Sequence, residues 1–464
     1  MNKEDIPFLS VAELSAQIKN RSVSPVEATE AYLDRIDSLD FKFNSYLTVA
    51  RKQAMEAARE AESAIAQGNY LGAMHGVPVA VKDQFYSKGI RSSGGSKFLE
   101  DFIPDEDATV IANPKKAGAI ILGKTNLTEF AIGGGFQRYS TPRNPWNLDM
   151  FTGSSSSGSG AATAAYLCAT SLGEDTGGSI RFPAAWCGLV GMKPSWGRVS
   201  RHGIMSGVWS MDTVGPMSRS VEDAAITLNS IAGHDPQDPY TWNTPVPDYR
   251  EALTGDIRGL RVGLVTEQTH TDVVDQEVRD AVIGATAVLG ELGATVEEVS
   301  VPLSRHSMLI TIALLAVEPA SSHREWVKNR REDYLWGNRI QMLSGSILPA
   351  QAYYKAQKLR AMLRQEVLDA LASYDVLVLP TAGKVAQDIE SFSQGTLMRR
   401  PYLLTSTFNL ANAPAISIPC GFSESGLPIG LQIGAKLGAD ETVLRVAHAY
   451  EQNTDWHNRR PPTV

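Results

Sequence analysis

The chain has 464 residues, of which 43% are hydrophobic and 20% are charged, the composition of a folded protein with a large core rather than of a disordered or low-complexity chain. Its formal net charge of −8 argues against the broad basic surface that binds nucleic acid or an anionic membrane. Three cysteines without a C-x-x-C pair predict neither a disulfide framework nor a zinc site, and they favour a reducing cytoplasm.

Residues 1–70 are predicted to form peripheral helices. Apolar residues recur at helical spacing through about residues 9–67, and the start of the chain lacks the basic-then-apolar order of a signal peptide. Ser24 is followed by Pro25 and Glu27, which is the pattern of a capped helix with proline at its first position. We expect these helices to wrap the outside of a single domain that spans residues 1–464.

From His75 onward, short runs rich in β-branched residues alternate with helical segments. This alternation is typical of an α/β fold, with a mixed or parallel sheet covered by helices on both faces. The predicted strands lie at residues 77–81, 119–122, 169–172, 189–192, 261–265, 376–379, 415–418 and 429–433.

Residues 305–350 carry few strand signals and are predicted to form a helical cap inserted over one end of the sheet. Substrate choice is often made in such an insertion. The longest apolar stretch of the chain, residues 308–317, lies inside it. This stretch is too short to cross a bilayer, so we expect it to be buried or to line a pocket.

Residues 118–125 match the nucleotide-binding pattern G-x-x-x-x-G-K-[ST]. In a phosphate-binding loop the four middle residues turn back so that their N–H groups surround the phosphates. Here these four residues are apolar and predict a buried strand, so we do not expect nucleotide binding. The eight histidines lack ligand spacing, and the sequence predicts no metal site.

Residues 153–160 form a Gly/Ser-rich stretch that runs directly into an alanine-rich helical segment. A flexible linker is the ordinary interpretation of such a composition. A linker should lie in polar sequence, however, whereas this stretch lies between Trp146 and a helix suited to the interior. We therefore interpret it as a buried functional loop.

The motif Asp175-Thr-Gly-Gly-Ser-Ile-Arg181 follows a predicted strand. Its paired glycines let successive backbone N–H groups bind an anion beside the hydroxyl of Ser179. The alternative is a simple glycine turn, which requires neither that hydroxyl nor Arg181. The motif therefore favours a nucleophile next to an oxyanion hole, provided that a base can take the serine proton.

Lys82 is the candidate base, because it ends an otherwise apolar strand where desolvation favours the neutral amine. The alternative is a structural lysine paired with Asp83 or Asp175, and for Lys82 taken alone this alternative is the stronger one. Because the chain also contains the serine loop and the glycine motif, we favour the role of general base for Lys82.

Together these motifs resemble the amidase signature family of hydrolases, which cleave carboxamides with a Ser–Ser–Lys triad. The resemblance covers most of the chain and implies a single α/β/α domain around a large mixed sheet, without a metal or an organic cofactor. Besides the two loops, the matching motifs are Val77-Pro-Val-Ala-Val-Lys-Asp83, Gly123-Lys-Thr-Asn126, Arg143-Asn-Pro-Trp146, Asp212-Thr-Val-Gly-Pro-Met217 and Pro428-Ile-Gly-Leu-Gln432.

The resemblance also implies roles for the site residues. Ser179 matches the nucleophile, Lys82 the general base and Ser155 the bridging serine, which the family holds on a cis peptide bond. Because serines replace two of the family's usual glycines within residues 153–159, either Ser155 or Ser156 can be the bridge. The implied oxyanion hole consists of the backbone N–H groups of Thr176, Gly177, Gly178 and Ser179.

One branch of the family is the glutaminase subunit of a transfer-RNA amidotransferase, and residues 353–360 resemble it. Arg360 matches an arginine that holds the carboxylate of glutamine there, but Tyr402 stands where we expect an acidic residue. An aromatic wall in place of a charge favours uncharged substrates. The candidate substrate-binding residues are Tyr139, Trp209, Trp336, Arg360 and Tyr402.

We therefore expect a stand-alone cytoplasmic amidase, monomeric or homodimeric, that hydrolyses small hydrophobic amides or anilides, or related carbamates and esters. Its partner would be a small-molecule amide, with no direct contact to nucleic acid or membrane. The alternative is a glutaminase subunit that delivers ammonia to a partner within a transfer-RNA amidotransferase. A catalytically silent binding module is disfavoured, because all three triad positions are filled.

Overall fold

The computed structural model describes residues 2–133, 135–136, 139–394 and 403–464, and the first part of the chain is helical as predicted. It contains helices α1 (Val11–Lys19), α2 (Pro25–Phe43) and α3 (Arg51–Ala66). Helix α2 has the expected cap: Ser24 accepts from the backbone N–H of Glu27, whose side chain accepts from the backbone of Ser24. The grouping of residues 1–70 as one peripheral segment stays a prediction.

All eight predicted strands occur close to their predicted positions. The strands of the described residues are β1 (Tyr46–Val49), β2 (Pro78–Lys82), β3 (Ile120–Thr125), β4 (Arg143–Asn144), β5 (Asn147–Phe151), β6 (Thr170–Glu174), β7 (Val190–Lys193), β8 (Val214–Ser218), β9 (Arg261–Val265), β10 (Thr295–Val299), β11 (Val376–Pro380), β12 (Ala415–Phe422) and β13 (Pro428–Gly434). Five of these strands, β1, β4, β5, β8 and β10, were not predicted.

Within the described part of the chain, eleven strands form one sheet in the order β1-β3-β2-β6-β8-β7-β12-β13-β11-β9-β10, and β4 pairs with β5 alone. Strand β2 is parallel to β3 and β6, and β9 is parallel to β10 and β11. Strands β7, β8, β12 and β13 run antiparallel to their neighbours. The predicted α/β class with a large mixed sheet is confirmed.

Helices cover both faces of this sheet. The remaining α-helices of the described residues are α4 (Thr109–Lys116), α5 (Ser157–Ala164), α6 (Arg181–Cys187), α7 (Val221–Ile231), α8 (Thr266–Thr269), α9 (Gln276–Glu291), α10 (Ser307–Ser322), α11 (Arg324–Arg330), α12 (Trp336–Ile347), α13 (Ala350–Ser373), α14 (Ile389–Gln394), α15 (Ser406–Leu410) and α16 (Asp440–Glu451). Helix α16 contacts α7 and α9 beside strands β12 and β13, while α5 and α6 contact each other beside β6, β7 and β12.

The region predicted as a helical cap, residues 305–350, holds α10, α11 and α12, and α10 packs against α12 and α13. Its description as an inserted cap stays a prediction. Among the residues that the structure describes, no helix has both the length and the apolar character to cross a membrane.

The segment that matches a nucleotide-binding pattern forms strand β3, as expected. Lys124, the lysine of that pattern, is fully buried and donates hydrogen bonds to the carbonyl of Phe85 and to the hydroxyls of Ser87 and Ser92. An extended backbone cannot surround a phosphate, and this lysine is engaged within the protein. The structure therefore supports the rejection of a nucleotide site.

Candidate active site

Two buried polar side chains stand at the ends of neighbouring strands. Strand β2 ends at Lys82 and β6 ends at Glu174, and the two strands pair in parallel, with Val81 opposite Leu172. The carboxyl ends of parallel strands open on the same edge of a sheet, where α/β proteins place their ligands. The candidate site lies at this edge.

Lys82 is fully buried, and its Nζ lies 2.7 Å from Ser155 Oγ, 3.2 Å from the carbonyl oxygen of Glu174 and 3.4 Å from Glu174 Oε2. Burial lowers the pKa of the Lys82 amine, although the neighbouring Glu174 carboxyl opposes this shift. Neither aspartate of the structural alternative is its partner: Asp83 accepts from Ser93, and Asp175 pairs with Arg181. The amine is therefore directed at the serine loop.

The serine loop places Ser155 rather than Ser156 against Lys82. The peptide bond between Ser154 and Ser155 is cis. The hydroxyl of Ser156 is fully buried and lies 3.2 Å from the carbonyl oxygen and 3.3 Å from the backbone nitrogen of Glu174, so it fastens the loop to strand β6. This difference in contacts selects Ser155 as the candidate bridge.

The loop after β6 is organised around the carboxylate of Asp175. It accepts hydrogen bonds from the backbone N–H of Gly178 at 2.8 Å and of Ile180 at 3.2 Å, and it forms an ion pair with Arg181 at 2.9 Å. Burial alone would raise the pKa of Asp175, but the Arg181 charge and the hydrogen bonds from the side chains of Arg181 and Asn409 lower it to about 2. A permanent negative charge therefore holds this turn in place.

This arrangement reduces the number of backbone N–H groups that are available for the predicted oxyanion hole. The N–H of Gly178 is engaged by Asp175 and cannot donate to a bound oxyanion. Within the described ranges, the amides of Thr176, Gly177 and Ser179 have no hydrogen-bond partner. Three donors thus remain where the sequence predicted four, because the capping carboxylate takes the fourth.

A second buried carboxyl group, missed by the sequence analysis, stands beside Lys82. Glu174 Oε1 lies 2.6 Å from Thr176 Oγ1, which in turn lies 2.7 Å from Asp212 Oδ1. Glu174 and Asp212 are both fully buried. Burial, followed by the negative charge of Asp212, raises the pKa of Glu174 to about 8. The motif letters gave no sign of this contact, because Glu174 precedes the glycine motif and Asp212 comes from a different segment.

A pocket that opens to solvent connects these elements. Ser155 and the half-buried Ser179 both line it. Helix α10 supplies Met308, Thr311 and Leu315 to the lining. The apolar stretch 308–317 was expected to be buried or to line a pocket, and the structure shows that it lines this one. The other described lining residues are Ala131, Ile132, Gly133, Ser154, Thr176, Gly177, Gly178, Phe182, Leu403 and Thr405.

None of the predicted substrate-binding residues that the structure describes lines this pocket. Trp336 is 69% exposed on α12, and Trp209 is 51% exposed and packs edge-on against Tyr240. The hydroxyl of Tyr139 accepts from Arg91. The structure therefore does not bring these three aromatic side chains into the pocket, and their role in substrate binding stays a prediction.

Arg360 was predicted to hold a substrate carboxylate, and its guanidinium is instead engaged within the protein. It donates to the carbonyls of Leu410 and Ser210, to the hydroxyl of Ser210 and to the side chain of Asn412. Tyr402, the last predicted binding residue, lies outside the described residues.

No group of three or more His, Cys, Asp or Glu side chains suited to a metal ion occurs in the described part of the chain. The three cysteines, Cys168, Cys187 and Cys420, are free and buried.

Comparisons with known proteins match nearly the whole chain. A family model described as Amidase matches residues 27–444. The glutamyl-tRNA(Gln) amidotransferase A subunit of Geotalea daltonii is 40% identical over 97% of this chain and 98% of its own length. The structure of the corresponding A subunit of Thermotoga maritima is 31% identical, with a TM-score of 0.80 over 98% of this chain and 95% of that chain. A vestigial protein complex that reveals the evolutionary origins of an s-triazine catabolic enzyme contains a chain 30% identical, with a TM-score of 0.90 over 96% of this chain and 98% of that one.

These relatives overturn two expectations from the sequence. The predicted stand-alone amidase for small hydrophobic amides is wrong, because the curated relatives matching this chain almost end to end are amidotransferase subunits. The predicted monomer or homodimer with only a small-molecule partner is wrong for the same reason. Triad motifs are shared by stand-alone enzymes and by subunits, so these motifs do not distinguish the two classes. The single sequence difference at Tyr402 is not enough to distinguish them either.

Proposed function

Because the chain belongs to the amidase family, whose chemistry is directed at C–N bonds, we propose that it releases ammonia from the side-chain amide of glutamine and passes it to a partner protein within an amidotransferase complex. The observation that carries this proposal is the 40% identity to an amidotransferase A subunit over 97% of the chain. A role beside transfer RNA would place the chain in the cytoplasm, where its free cysteines stay reduced.

In the proposed reaction, Ser179 Oγ attacks the carbonyl carbon of the amide. Its proton passes to Ser155, whose own proton moves to the neutral amine of Lys82. The 2.7 Å contact between Lys82 and Ser155 supports this route, since a general base acts across hydrogen-bond distance. Lowering of the Lys82 pKa by burial supplies the uncharged amine that the step needs.

The negative charge that develops on the carbonyl oxygen would be stabilised by the free amides of Thr176, Gly177 and Ser179. One such donor is commonly worth about 10²–10³ in rate. When the tetrahedral intermediate collapses, the C–N bond breaks and the proton held by Lys82 returns through Ser155 to the departing nitrogen. Ammonia leaves, and water then hydrolyses the ester on Ser179 by the same proton route, releasing a carboxylic acid.

The partner and the substrate can be tested together. The chain, affinity-tagged in its source cells, is expected to co-purify with other proteins, and the purified complex is expected to hydrolyse glutamine faster than the chain alone. Within the described residues no charged side chain lines the pocket, so the assay should include an uncharged aryl amide beside glutamine. Turnover of the aryl amide by the isolated chain, with no glutaminase activity in any preparation, would contradict the proposal.

The covalent step has its own test, which is mass spectrometry of Ser179 after exposure of the complex to amide substrates. We expect an acyl adduct on the peptide that contains Ser179, and its loss in Ser179→Ala with a fall in turnover of roughly 10⁴-fold or more. Ser425→Ala is a matched control, because Ser425 is exposed in the turn between β12 and β13. An adduct that persists in Ser179→Ala would remove Ser179 from the mechanism.

A further inference from the structure

The hydroxyl of Thr176 lies between two buried carboxyl groups. Its Oγ1 is 2.6 Å from Glu174 Oε1 and 2.7 Å from Asp212 Oδ1, and both distances are those of a hydrogen bond. A threonine hydroxyl has one proton and can donate to only one of the two oxygens, while an ionised carboxylate has no proton to donate. Two hydrogen bonds among these three oxygens therefore require a proton on one of the carboxyl groups.

The surroundings of the two groups indicate which one carries it. Asp212 accepts from the hydroxyl of Ser206 at 2.7 Å, from the backbone N–H of Gly207 at 2.8 Å and from that of Val208 at 2.8 Å. Hydrogen bonds from several donors stabilise the charged form of a carboxyl group. The side chain of Glu174 has no backbone donor among the described residues, and its contacts there are Thr176 and Lys82.

We propose that Glu174 is a neutral carboxylic acid at neutral pH and acts as a positioning residue that keeps Lys82 an uncharged amine. The inference rests on the proposed function in one respect, namely that Lys82 is the base of the reaction. The protonated Oε1 of Glu174 donates to Thr176, whose hydroxyl donates to the ionised Asp212. The carbonyl oxygen Oε2 then accepts from Lys82 across 3.4 Å, and the amine lone pair accepts from Ser155 across 2.7 Å.

The charges around Glu174 agree with this assignment. Burial and the negative charge of Asp212 both raise the pKa of Glu174, whereas the charge of Lys82 and the contact with Thr176 lower it. Asp175, the next residue, also raises the pKa of Glu174, but its own charge is compensated by the ion pair with Arg181. A neutral pair and an ion pair of Glu174 with Lys82 contain the same number of protons and differ only in which group holds one of them.

Whether Glu174 or Lys82 holds the shared proton decides the pH at which Lys82 becomes available as a base. In the neutral pair, Lys82 can accept a proton once the fully protonated pair has lost its first proton. In an ion pair, Lys82 would become a base only when the second proton leaves, at higher pH. Glutamine at position 174 resembles the neutral acid in size and charge, but it cannot stabilise an ammonium group as a carboxylate does.

The experiment compares the pH profiles of kcat/KM for glutamine in complexes that contain the wild-type chain or E174Q. We expect the acidic limb to move by less than about half a pH unit, because glutamine reproduces the neutral acid. A shift of the limb by more than about one unit to lower pH would show that the wild type holds an ion pair, and it would overturn the inference. E174A is the control for a merely structural role, because alanine cannot make the hydrogen bonds of the neutral acid. We expect kcat to fall in E174A and to be largely restored in E174Q; an equal fall in both variants, with the acidic limb in place, would show a structural role only and would also overturn the inference.

A second measurement reads the protonation state without turnover. With ¹³C-labelled lysine, NMR of the wild-type chain should show an uncharged Lys82 side chain at neutral pH, with the signal assigned by its loss in Lys82→Met. A charged Lys82 at that pH overturns the inference, whether or not E174Q folds. Because this NMR measurement needs no substrate, it tests the neutral Glu174–Lys82 pair independently of the proposed glutaminase function. A chain that fails to hydrolyse glutamine can still have a neutral pair, and a glutaminase can still have an ion pair.

Discussion

The edge of the sheet that carries Lys82 and the helical segment 307–373 are built by opposite rules. At the sheet edge, Lys82, Ser155 and Glu174 are buried and each contacts at least one of the others. In the helical segment, large apolar side chains face solvent, with Trp336 69% and Ile347 82% exposed. The comparison shows that the candidate catalytic groups are fixed by strand ends and tight loops, whereas the pocket wall depends on which face of a helix is turned toward the protein interior.

Helix α12 illustrates the second rule. Its apolar residues Trp336, Ile340 and Ile347 are exposed, while Asn338 and Gly345 on the opposite face are buried. Gly345 has to be small, because a Cβ atom there would lie 1.8 Å from the carbonyl oxygen of Ala316 in α10. The buried face also carries Met342, so close helix packing and one apolar side chain together determine which face is buried, while most apolar residues of α12 face solvent.

The strongest test of the sheet-edge rule compares two adjacent serines. Ser155→Ala should slow acyl-enzyme formation by about 10²–10⁴-fold, because it removes the hydroxyl that contacts Lys82 and is proposed to relay the proton of Ser179. Ser156→Ala removes a hydroxyl bonded to the backbone of Glu174, so it should cost about 1–2 kcal/mol of unfolding free energy and leave the acylation rate within about tenfold. Stopped-flow acylation and denaturant unfolding measure the two effects.

The assignment of Ser155 as the bridging serine would be contradicted if the effects of the two substitutions were exchanged. Slow acylation in Ser156→Ala with normal acylation in Ser155→Ala would make Ser156 the bridge. Equal losses in both variants, with equal destabilisation, would show that the loop acts as a unit and that no single hydroxyl connects the base to the nucleophile.

A smaller effect is expected for the glycines of the turn. Gly178 has a φ of +125°, and a Cβ atom there would lie 1.9 Å from Thr405 Oγ1. Gly178→Ala should therefore displace the turn that carries the free amides, with a loss of about 10²-fold in kcat and at least about 1 kcal/mol in stability. A Cβ atom at position 177 would lie 3.3 Å from Thr311 Cγ2 and 3.9 Å from Ser406 Oγ, so Gly177→Ala should cost less on both measures. Similar losses in both variants would contradict the importance of the Gly178 conformation.

Much of the sheet, and the pairing of Lys82 with Ser155, could be predicted from the sequence. Strand β9 lies at the predicted residues, and β2 and β6 each end within two residues of prediction, because short apolar runs between turn residues are a local signal. Lys82 and Ser155 were found because the resemblance to the amidase family covered both motifs. Their contact across 73 residues of sequence was implied by that resemblance and not by any local pattern.

Other features of the site had no local signal. The Gly178 N–H is taken by Asp175, which depends on the geometry of the turn. Glu174 meets Asp212 through Thr176, although Asp212 is 36 residues from Thr176 in sequence. The aromatic residues Trp209 and Trp336 were predicted from their type alone, and residue type does not determine whether a side chain faces a pocket or the solvent.

The smallest effect is expected from a pair of substitutions in the helical segment. Leu315 lines the pocket and is 9% exposed, whereas Trp336 is larger but 69% exposed, with Arg339 over its ring at 5.9 Å. Leu315→Ala should cost about 2 kcal/mol of stability and raise KM several-fold with little change in kcat, because it enlarges the pocket without touching the triad. Trp336→Ala removes more atoms but should stay within about 0.5 kcal/mol of the wild type, with both kinetic constants unchanged. Thermal unfolding and steady-state kinetics on the same complexes provide the comparison, and a rise in KM for Trp336→Ala equal to that for Leu315→Ala would mean that α12 also contributes to substrate binding.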